Sequence, residues 1–262
     1  MISVREAVVH DPAGTLLALD FDGTLAHIVE DPTQAYAHER SVAALGRLGR
    51  VLGQVAIITG RPVKQALELG GFEGFAGLDR LIILGQYGAE RWTAGDGIPA
   101  QIERPEEIAR LLERLPGWLA ERGGDNVRLE DKGLAVAIHT RGLGPDLLAT
   151  LAGPLSELAA DLDLAVEPGR QVIELRLPGV DKGSALKGLV DEMKARHVIF
   201  AGDDLGDVPA FDAVDELRRS GLDGLLICSA SPEQDALVSR ADVVLNGPDE
   251  IATWLEELAD EL

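Results

Sequence analysis

Two carboxylates, Asp20 and Asp22, stand at the end of an apolar run, Leu16-Leu17-Ala18-Leu19, and Gly23 and Thr24 follow them. A parallel strand buried on both faces reads as such a run, and open α/β sheets hold ligands at the carboxyl ends of their strands. Two ionised carboxylates this close repel, so the pair calls for a cation or a shared proton. Three later stretches carry what such a pair needs. Thr59-Gly60-Arg61 follows a second apolar run and offers a hydroxyl and backbone N–H groups at a strand-to-helix junction, a natural phosphate seat. Lys182, in Val180-Asp181-Lys182-Gly183, supplies a cation. Ala201-Gly202-Asp203-Asp204-Leu205-Gly206-Asp207 closes another apolar run with oxygen donors of the kind that hold Mg²⁺ beside a substrate phosphate. Each stretch also has a plainer reading: Thr59 as a helix cap, Lys182 as a solvated surface lysine, Asp203 to Asp207 as acids dressing a helix N-terminus. Those readings weaken together, because all four segments fall at the same ends of consecutive strands.

The elements that must position these residues follow from periodicity. Apolar runs predict strands at Leu16–Asp20, Val55–Thr59, Leu81–Leu84, His197–Ala201, Gly224–Cys228 and Val243–Leu245. Between them, apolar residues recur at helical spacing: Val42, Leu45 and Leu48; Ala185, Leu186, Leu189 and Val190; Ile251, Trp254, Leu255 and Leu258. Strand–helix alternation predicts an α/β fold with a Rossmann-like, mostly parallel sheet covered on both faces. The middle of the chain reads differently. Helices over Pro105–Glu121 and Gly144–Leu162 alternate with strand pairs, Asn126–Asp131 with Leu134–Arg141 and Leu164–Glu167 with Gln171–Leu177. That order, α-β-β-α-β-β, predicts an inserted α/β unit, a small antiparallel sheet backed by two helices, entering after the third parallel strand. Gly95-Asp96-Gly97 and Pro178-Gly179 are the joints. The expected domains are 1–87 with 179–262 for the core and 88–178 for the insertion.

Strand parity sorts the insertion's side chains. Arg128, Glu130 and Lys132 share one face, as do Val172, Glu174 and Arg176, while Ile173, Leu175 and Leu177 point the other way onto the helices. His139 falls on the face of its strand that carries Ala135 and Ala137. A solvated sheet face gives the same alternation.

Composition bounds the partners. The 262 residues carry 24 Lys and Arg against 45 Asp and Glu, a formal net charge of -21. That field repels nucleic acid and anionic membranes, so neither is an expected partner. Cys228 is the one cysteine, which fits a reducing compartment without an internal disulfide. The first residues, Met1 to Gly14, lack an apolar core of signal-peptide length, and no apolar stretch approaches a membrane span. A cytoplasmic globular protein, a monomer or weak oligomer, is expected.

The order Asp-Phe-Asp-Gly-Thr, Thr-Gly-Arg, Asp-Lys-Gly and Gly-Asp-Asp-x-x-Asp resembles the haloacid dehalogenase-like phosphatase superfamily, and it spans almost the whole chain. The insertion is similar to the cap of that superfamily's sugar-phosphatase branch. Three further stretches narrow the resemblance to the trehalose-6-phosphate phosphatase family. They are Gly85-Gln86-Tyr87-Gly88-Ala89-Glu90, Glu130-Asp131-Lys132 with His139 and Arg141, and Val172-Ile173-Glu174-Leu175-Arg176. The last motif departs from the family's usual Gly-Asp-Asp-x-Thr-Asp-Glu, with Gly206 and Val208 in place of the Thr and Glu. The resemblance implies an Mg²⁺-dependent hydrolysis of trehalose 6-phosphate through an aspartyl-phosphate. Asp20 is then the nucleophile, and Asp22 the acid and afterwards the base. Thr59, Gly60 and Lys182 hold the phosphate. Asp20, Asp203, Asp207 and Asp22, the last through its backbone carbonyl, hold the metal. Glu130, Lys132 and Glu174 are expected to contact sugar hydroxyls, with Arg61 and Gln86 also on the substrate. Another sugar phosphate, such as a sucrose or mannosylglycerate precursor, is the nearest rival substrate. A sugar phosphomutase and a non-hydrolysing sensor are the rival classes.

Overall fold

The computed structural model describes residues 3–99, 103–140, 142–143, 145–169, 171–230 and 237–262; Arg141 and Gly144, expected to end a strand and start a helix, lie outside them. The chain divides into two compact units, Met1–Pro99 with Asp181–Leu262, and Ala100–Val180. Eleven strands are formed among the described residues. They are β1 (Thr15–Leu19), β2 (Gln54–Ile58), β3 (Ile82–Gly85), β4 (Glu90–Thr93), β5 (Arg128–Asp131), β6 (Ala135–His139), β7 (Ala165–Gly169), β8 (Val172–Arg176), β9 (His197–Gly202), β10 (Asp223–Ser229) and β11 (Val243–Leu245).

In the first unit the strand order is β11-β10-β9-β1-β2-β3-β4. All neighbours are parallel except β3 and β4. β1 is buried along its whole length because both its faces are covered. Leu17 and Leu19 meet apolar residues of the helices Glu39–Leu48, Val63–Gly70 and Pro248–Glu261. Leu16 and Ala18, one residue out of phase, meet those of Lys182–Met193 and Val208–Arg219. The chain leaves β1 toward β2 and β3 on one side and returns through β9 and β10 on the other. The order therefore reverses between β1 and β9, and at such a switch point the connections diverge to leave a crevice for ligand.

One element of this sheet differs from the sequence expectation. The chain does not leave for the insertion after its third strand. It first turns at Gln86–Gly88 and returns as β4, antiparallel to β3, with Gly85 opposite Glu90 and Ile83 opposite Trp92. The β4 segment is short, and only Glu90 and Trp92 are buried. A half-buried edge strand of four residues lacks the apolar run that marks the central ones.

The second unit is a sheet of order β5-β6-β8-β7, every pair antiparallel. Val136, Ile138, Ile173 and Leu175 pack on Ile108, Leu111, Leu115 and Leu119 of one helix and on Leu151, Leu155 and Leu158 of another. The helices run Glu106–Ala120 and Pro145–Asp161, so the α-β-β-α-β-β order is formed. Pro168-Gly169, between the two expected strands, belongs to β7, with Pro168 opposite Ile173. β7 pairs on one side only, and an edge strand tolerates a residue with no N–H to give. Among the described residues no helix is long and apolar enough to cross a membrane.

Candidate functional site

β1, β2 and β9 end at the same level, because Leu19 stands opposite Ile57 on one side and Ala201 on the other. The sheet continues one residue further, with the Asp20 N–H on the Ala201 carbonyl (2.9 Å) and the Thr59 N–H on the Leu84 carbonyl (3.0 Å). Asp20, Thr59 and Asp203 are thereby delivered side by side at the switch point.

Lys182 lies between the acids. Its Nζ donates to Asp20 Oδ1 at 2.5 Å and to Asp207 Oδ1 at 2.7 Å, and all three side chains are buried. The second Asp207 oxygen accepts from the N–H groups of Asp203 (2.9 Å) and Asp204 (3.3 Å). Asp207 thus ties the lysine to the acidic loop. One cation cannot neutralise this group of carboxylates. Burial, with repulsion from Asp207, Asp204 and Asp22, pushes the Asp20 carboxyl well above the ordinary range against the pull of Lys182. Asp203 is raised too, by burial first and then by Asp204, Asp20 and Asp207. For Lys182, burial works against the charge, yet attraction to Asp20 and Asp207 outweighs it and holds the ammonium charged.

The same group is suited to a hard cation. Carboxylate oxygens of Asp20, Asp203 and Asp207 lie within 4.8 Å of one another, and an oxygen-only donor set matches Mg²⁺. A second observation concerns Gly23, which has φ +75°, and whose Cβ, if it had one, would lie 2.1 Å from Asp203 Oδ2. Only glycine lets the Asp203 carboxylate come this close to the Asp22–Gly23 backbone. Ser229, at the end of β10, holds the turn from behind by donating its buried hydroxyl to the Gly23 carbonyl at 2.6 Å. Sequence reasoning missed Ser229, because nothing local marks it.

Asp22 has a different basic partner. Arg61 grips both its oxygens, Nε to Oδ2 at 2.7 Å and Nη2 to Oδ1 at 2.5 Å, and its guanidinium lies 5.6 Å from the centre of the Phe21 ring. Thr59 Oγ1 accepts from the Arg61 N–H at 3.1 Å, so it also shapes the Thr59–Arg61 turn. Gln86 is buried and donates its side-chain amide to Glu90 at 3.0 Å. Glu90 takes a second bond from the N–H of Val63, at 2.7 Å, and so caps a helix whose own preceding residue, Pro62, has no capping side chain. Gln86 and Tyr87 are consecutive non-glycine residues with positive φ, 46° and 60°, a conformation costing about 1–2 kcal/mol per residue. Their N–H groups bond the Arg61 and Thr59 carbonyls, both at 2.9 Å, which holds the turn against the Thr59–Arg61 segment.

In the second unit the polar face of the sheet carries three acid–base pairs. Glu130, Glu174 and Glu167 fall in one row across it, with Ala137 between the first two. Each has its own basic partner: His139 at 2.8 Å, Lys132 at 2.5 Å and Arg176 at 2.6 Å. The His139 hydrogen bond, helped by Lys132 and Arg128 against partial burial, lowers the Glu130 carboxyl to about 2. Glu174 is 5% exposed, and its Oε1 is buried with no hydrogen-bond partner among the described residues. An unmet buried acceptor is costly, and its position is one where a ligand hydroxyl is welcome. Glu167 and Arg176 escaped the sequence reading as a pair, since only the register of β7 against β8 brings them together.

Known proteins resemble this chain in sequence and in fold. The profile of the trehalose-phosphatase family matches residues 18–242. A trehalose-phosphate phosphatase of Mycobacterium marinum is 33% identical over 252 residues, 93% of this chain and 61% of that protein. One from Mycobacterium ulcerans is 32% identical with the same coverage. The chain therefore spans about three-fifths of the length of these relatives. A solved structure described as a trehalose-6-phosphate phosphatase related protein is 27% identical, with a TM-score of 0.66 over 94% of this chain and 97% of that one. The C-terminal domain of the C. albicans trehalose-6-phosphate phosphatase has this fold, with a TM-score of 0.78 at 21% identity over 98% and 96% of the two chains. With residues 18–242 matched by the family profile, the chain belongs to the trehalose-phosphatase family.

Proposed function

We propose that the protein is a phosphatase that hydrolyses trehalose 6-phosphate with Mg²⁺ as cofactor. The observation that carries this reading is the buried Asp20–Lys182–Asp207 bridge at the switch point, with Asp203 pressed against Gly23. Asp20 and Asp203, with the Asp22 carbonyl, would hold the cation, and Asp207 serves mainly to hold Lys182. When bound, Mg²⁺ offsets the repulsion between a carboxylate nucleophile and a phosphate dianion.

Asp20 attacks phosphorus, forming an O–P bond as the bond to the sugar oxygen breaks, and the enzyme carries an aspartyl-phosphate. Lys182, Thr59 and the Gly60 backbone stabilise the charge on the phosphoryl oxygens. Asp22 gives the sugar oxygen its proton and later takes one from the water that hydrolyses the intermediate. Both Asp22 oxygens accept bonds from Arg61, so Asp22 must let go of one to act as the acid. Arg61 is on this reading the residue that parks Asp22 between steps. The insertion selects the sugar, with Glu130, Lys132 and Glu174 as its hydroxyl contacts. Support comes from the unmet Glu174 oxygen and the family match. A cytoplasmic setting agrees with the single buried Cys228.

Phosphate release from trehalose 6-phosphate, sucrose 6-phosphate and glucose 6-phosphate tests the reading directly. The expected result is strong preference for the trehalose ester and loss of activity in EDTA, restored by Mg²⁺. Release from the other esters alone would keep the phosphatase and reject the disaccharide. A second test addresses the insertion. Glu174→Ala is expected to lower kcat/KM on trehalose 6-phosphate about tenfold or more, as loss of a charged hydrogen bond does, and to affect a small aryl phosphate far less. Equal loss on both substrates would reject Glu174 as a sugar contact.

A further inference from the structure

We infer that Tyr87 is a sugar-contacting residue carried by the core unit, its ring a flat wall against which the sugar of the leaving group packs. The inference rests on the phosphatase reading above. It begins with where the ring lies. A Cβ on Gly60 would fall 2.9 Å from both Cζ and Oη of Tyr87, so the ring covers the middle residue of the Thr59-Gly60-Arg61 phosphate seat. A Cβ on Gly206 would lie 3.9 Å from Tyr87 Cε1, so the same ring reaches the acidic loop from Asp203 to Asp207. Gly206 carries no side chain of its own to crowd that side of the ring.

The ring is also held there at a cost. Tyr87 adopts φ 60° and ψ 20°, directly after the left-handed Gln86. The turn is fixed by the carbonyls of Thr59 and Arg61 and by the Gln86–Glu90 bond. Strain of this kind persists where surrounding bonds over-determine it, and it clusters at ligand sites. Tyr87 is only half-buried, so part of its side chain faces solvent.

The surrounding chemistry says what the ring meets. Asp20, Asp22, Thr59, Arg61, Lys182 and Asp203 present charge or hydroxyl, and Phe21 is fully buried. An aromatic face carries negative charge density, so it repels the phosphoryl oxygens and accepts C–H groups. A pyranose has such an apolar C–H face beside its hydroxyls. Tyr87 therefore takes the carbon side of the ester, while the polar residues take the phosphate.

The test compares Tyr87→Phe and Tyr87→Asn with the unaltered protein on trehalose 6-phosphate and on acetyl phosphate, which has no sugar. Asparagine tolerates left-handed backbone, so the turn survives loss of the ring; thermal unfolding checks this. Tyr87→Asn is expected to raise KM for trehalose 6-phosphate about tenfold with a much smaller change in kcat, the size of one aromatic contact. KM for acetyl phosphate should move far less, and Tyr87→Phe should stay close to the parent on both. Equal losses on the two substrates, or no change on either, would overturn the assignment while leaving the phosphatase reading intact. An unaltered protein that cleaves acetyl phosphate but no sugar phosphate would overturn both.

Discussion

Asp20→Asn is expected to lower phosphate release from every ester by at least about 10³-fold, because an amide cannot form the acyl-phosphate and no neighbouring group can take over the attack. Asp22 is held on Arg61, and Asp203 is pressed against Gly23, so neither is placed to substitute. The side chain is nearly isosteric, and Lys182 keeps Asp207 as a partner. The fold should therefore survive, and in one respect gain. Without metal, Asp20 in the folded protein is protonated to higher pH than in the unfolded chain, through burial and its acidic neighbours. The folded state then binds more protons than the unfolded one above the ordinary carboxylate range, so stability falls as pH rises through that window. Asparagine removes this contribution. Urea unfolding in EDTA at about pH 5 and about pH 8 should find the variant's advantage growing with pH. Retained turnover would end the covalent mechanism, and a variant less stable than the parent at the higher pH would end the account of the cluster's electrostatics.

Lys182→Met carries the second large effect, on both activity and folding. The methionine matches the stem of the lysine but leaves Asp20 and Asp207 buried with no cation between them. Breaking a buried pair from one side costs about 3–5 kcal/mol, since the remaining charge is uncompensated. Turnover should fall by about 10²–10³-fold, the loss typical of one preorganised donor to a developing charge. The two effects separate in the double variant Lys182→Met with Asp207→Asn. Removing the second charge should return much of the stability measured by urea unfolding and none of the turnover. A single variant as stable as the parent would mean that Lys182 does not neutralise this cluster. A double variant that recovers activity would mean that it does not act on the phosphate.

Much of this molecule was legible in order along the chain. β1, β2, β3, β9, β10 and β11 lie within a residue or two of the apolar runs, the central ones because strands buried on both faces have no room for polar alternation. The α-β-β-α-β-β insertion was legible because its helices and strands keep distinct periods of apolar residues. β4 was not, since four residues of an edge strand with one face open carry too little pattern. The Gln86–Tyr87 turn was hidden for a different reason. Its positive φ angles come from bonds to Thr59 and Arg61, and no glycine announces them at either position.

The candidate site divides along the same line. Sequence alone determined which groups are present and at which strand or helix ends, for Asp20, Asp22, Thr59, Lys182 and Asp203 sit in short motifs whose local chemistry speaks for itself. Their partners were decided only by tertiary structure. Lys182 lies 162 residues from the Asp20 it bonds, and Ser229 lies 206 residues from Gly23. Arg61 on Asp22, and Glu167 on Arg176, depend on a turn and on a strand register that exist only once the chain has packed. Periodicity reports which face of an element is apolar, because burial acts on each residue alone. A hydrogen bond depends on two positions at once, and their distance is set by the whole fold.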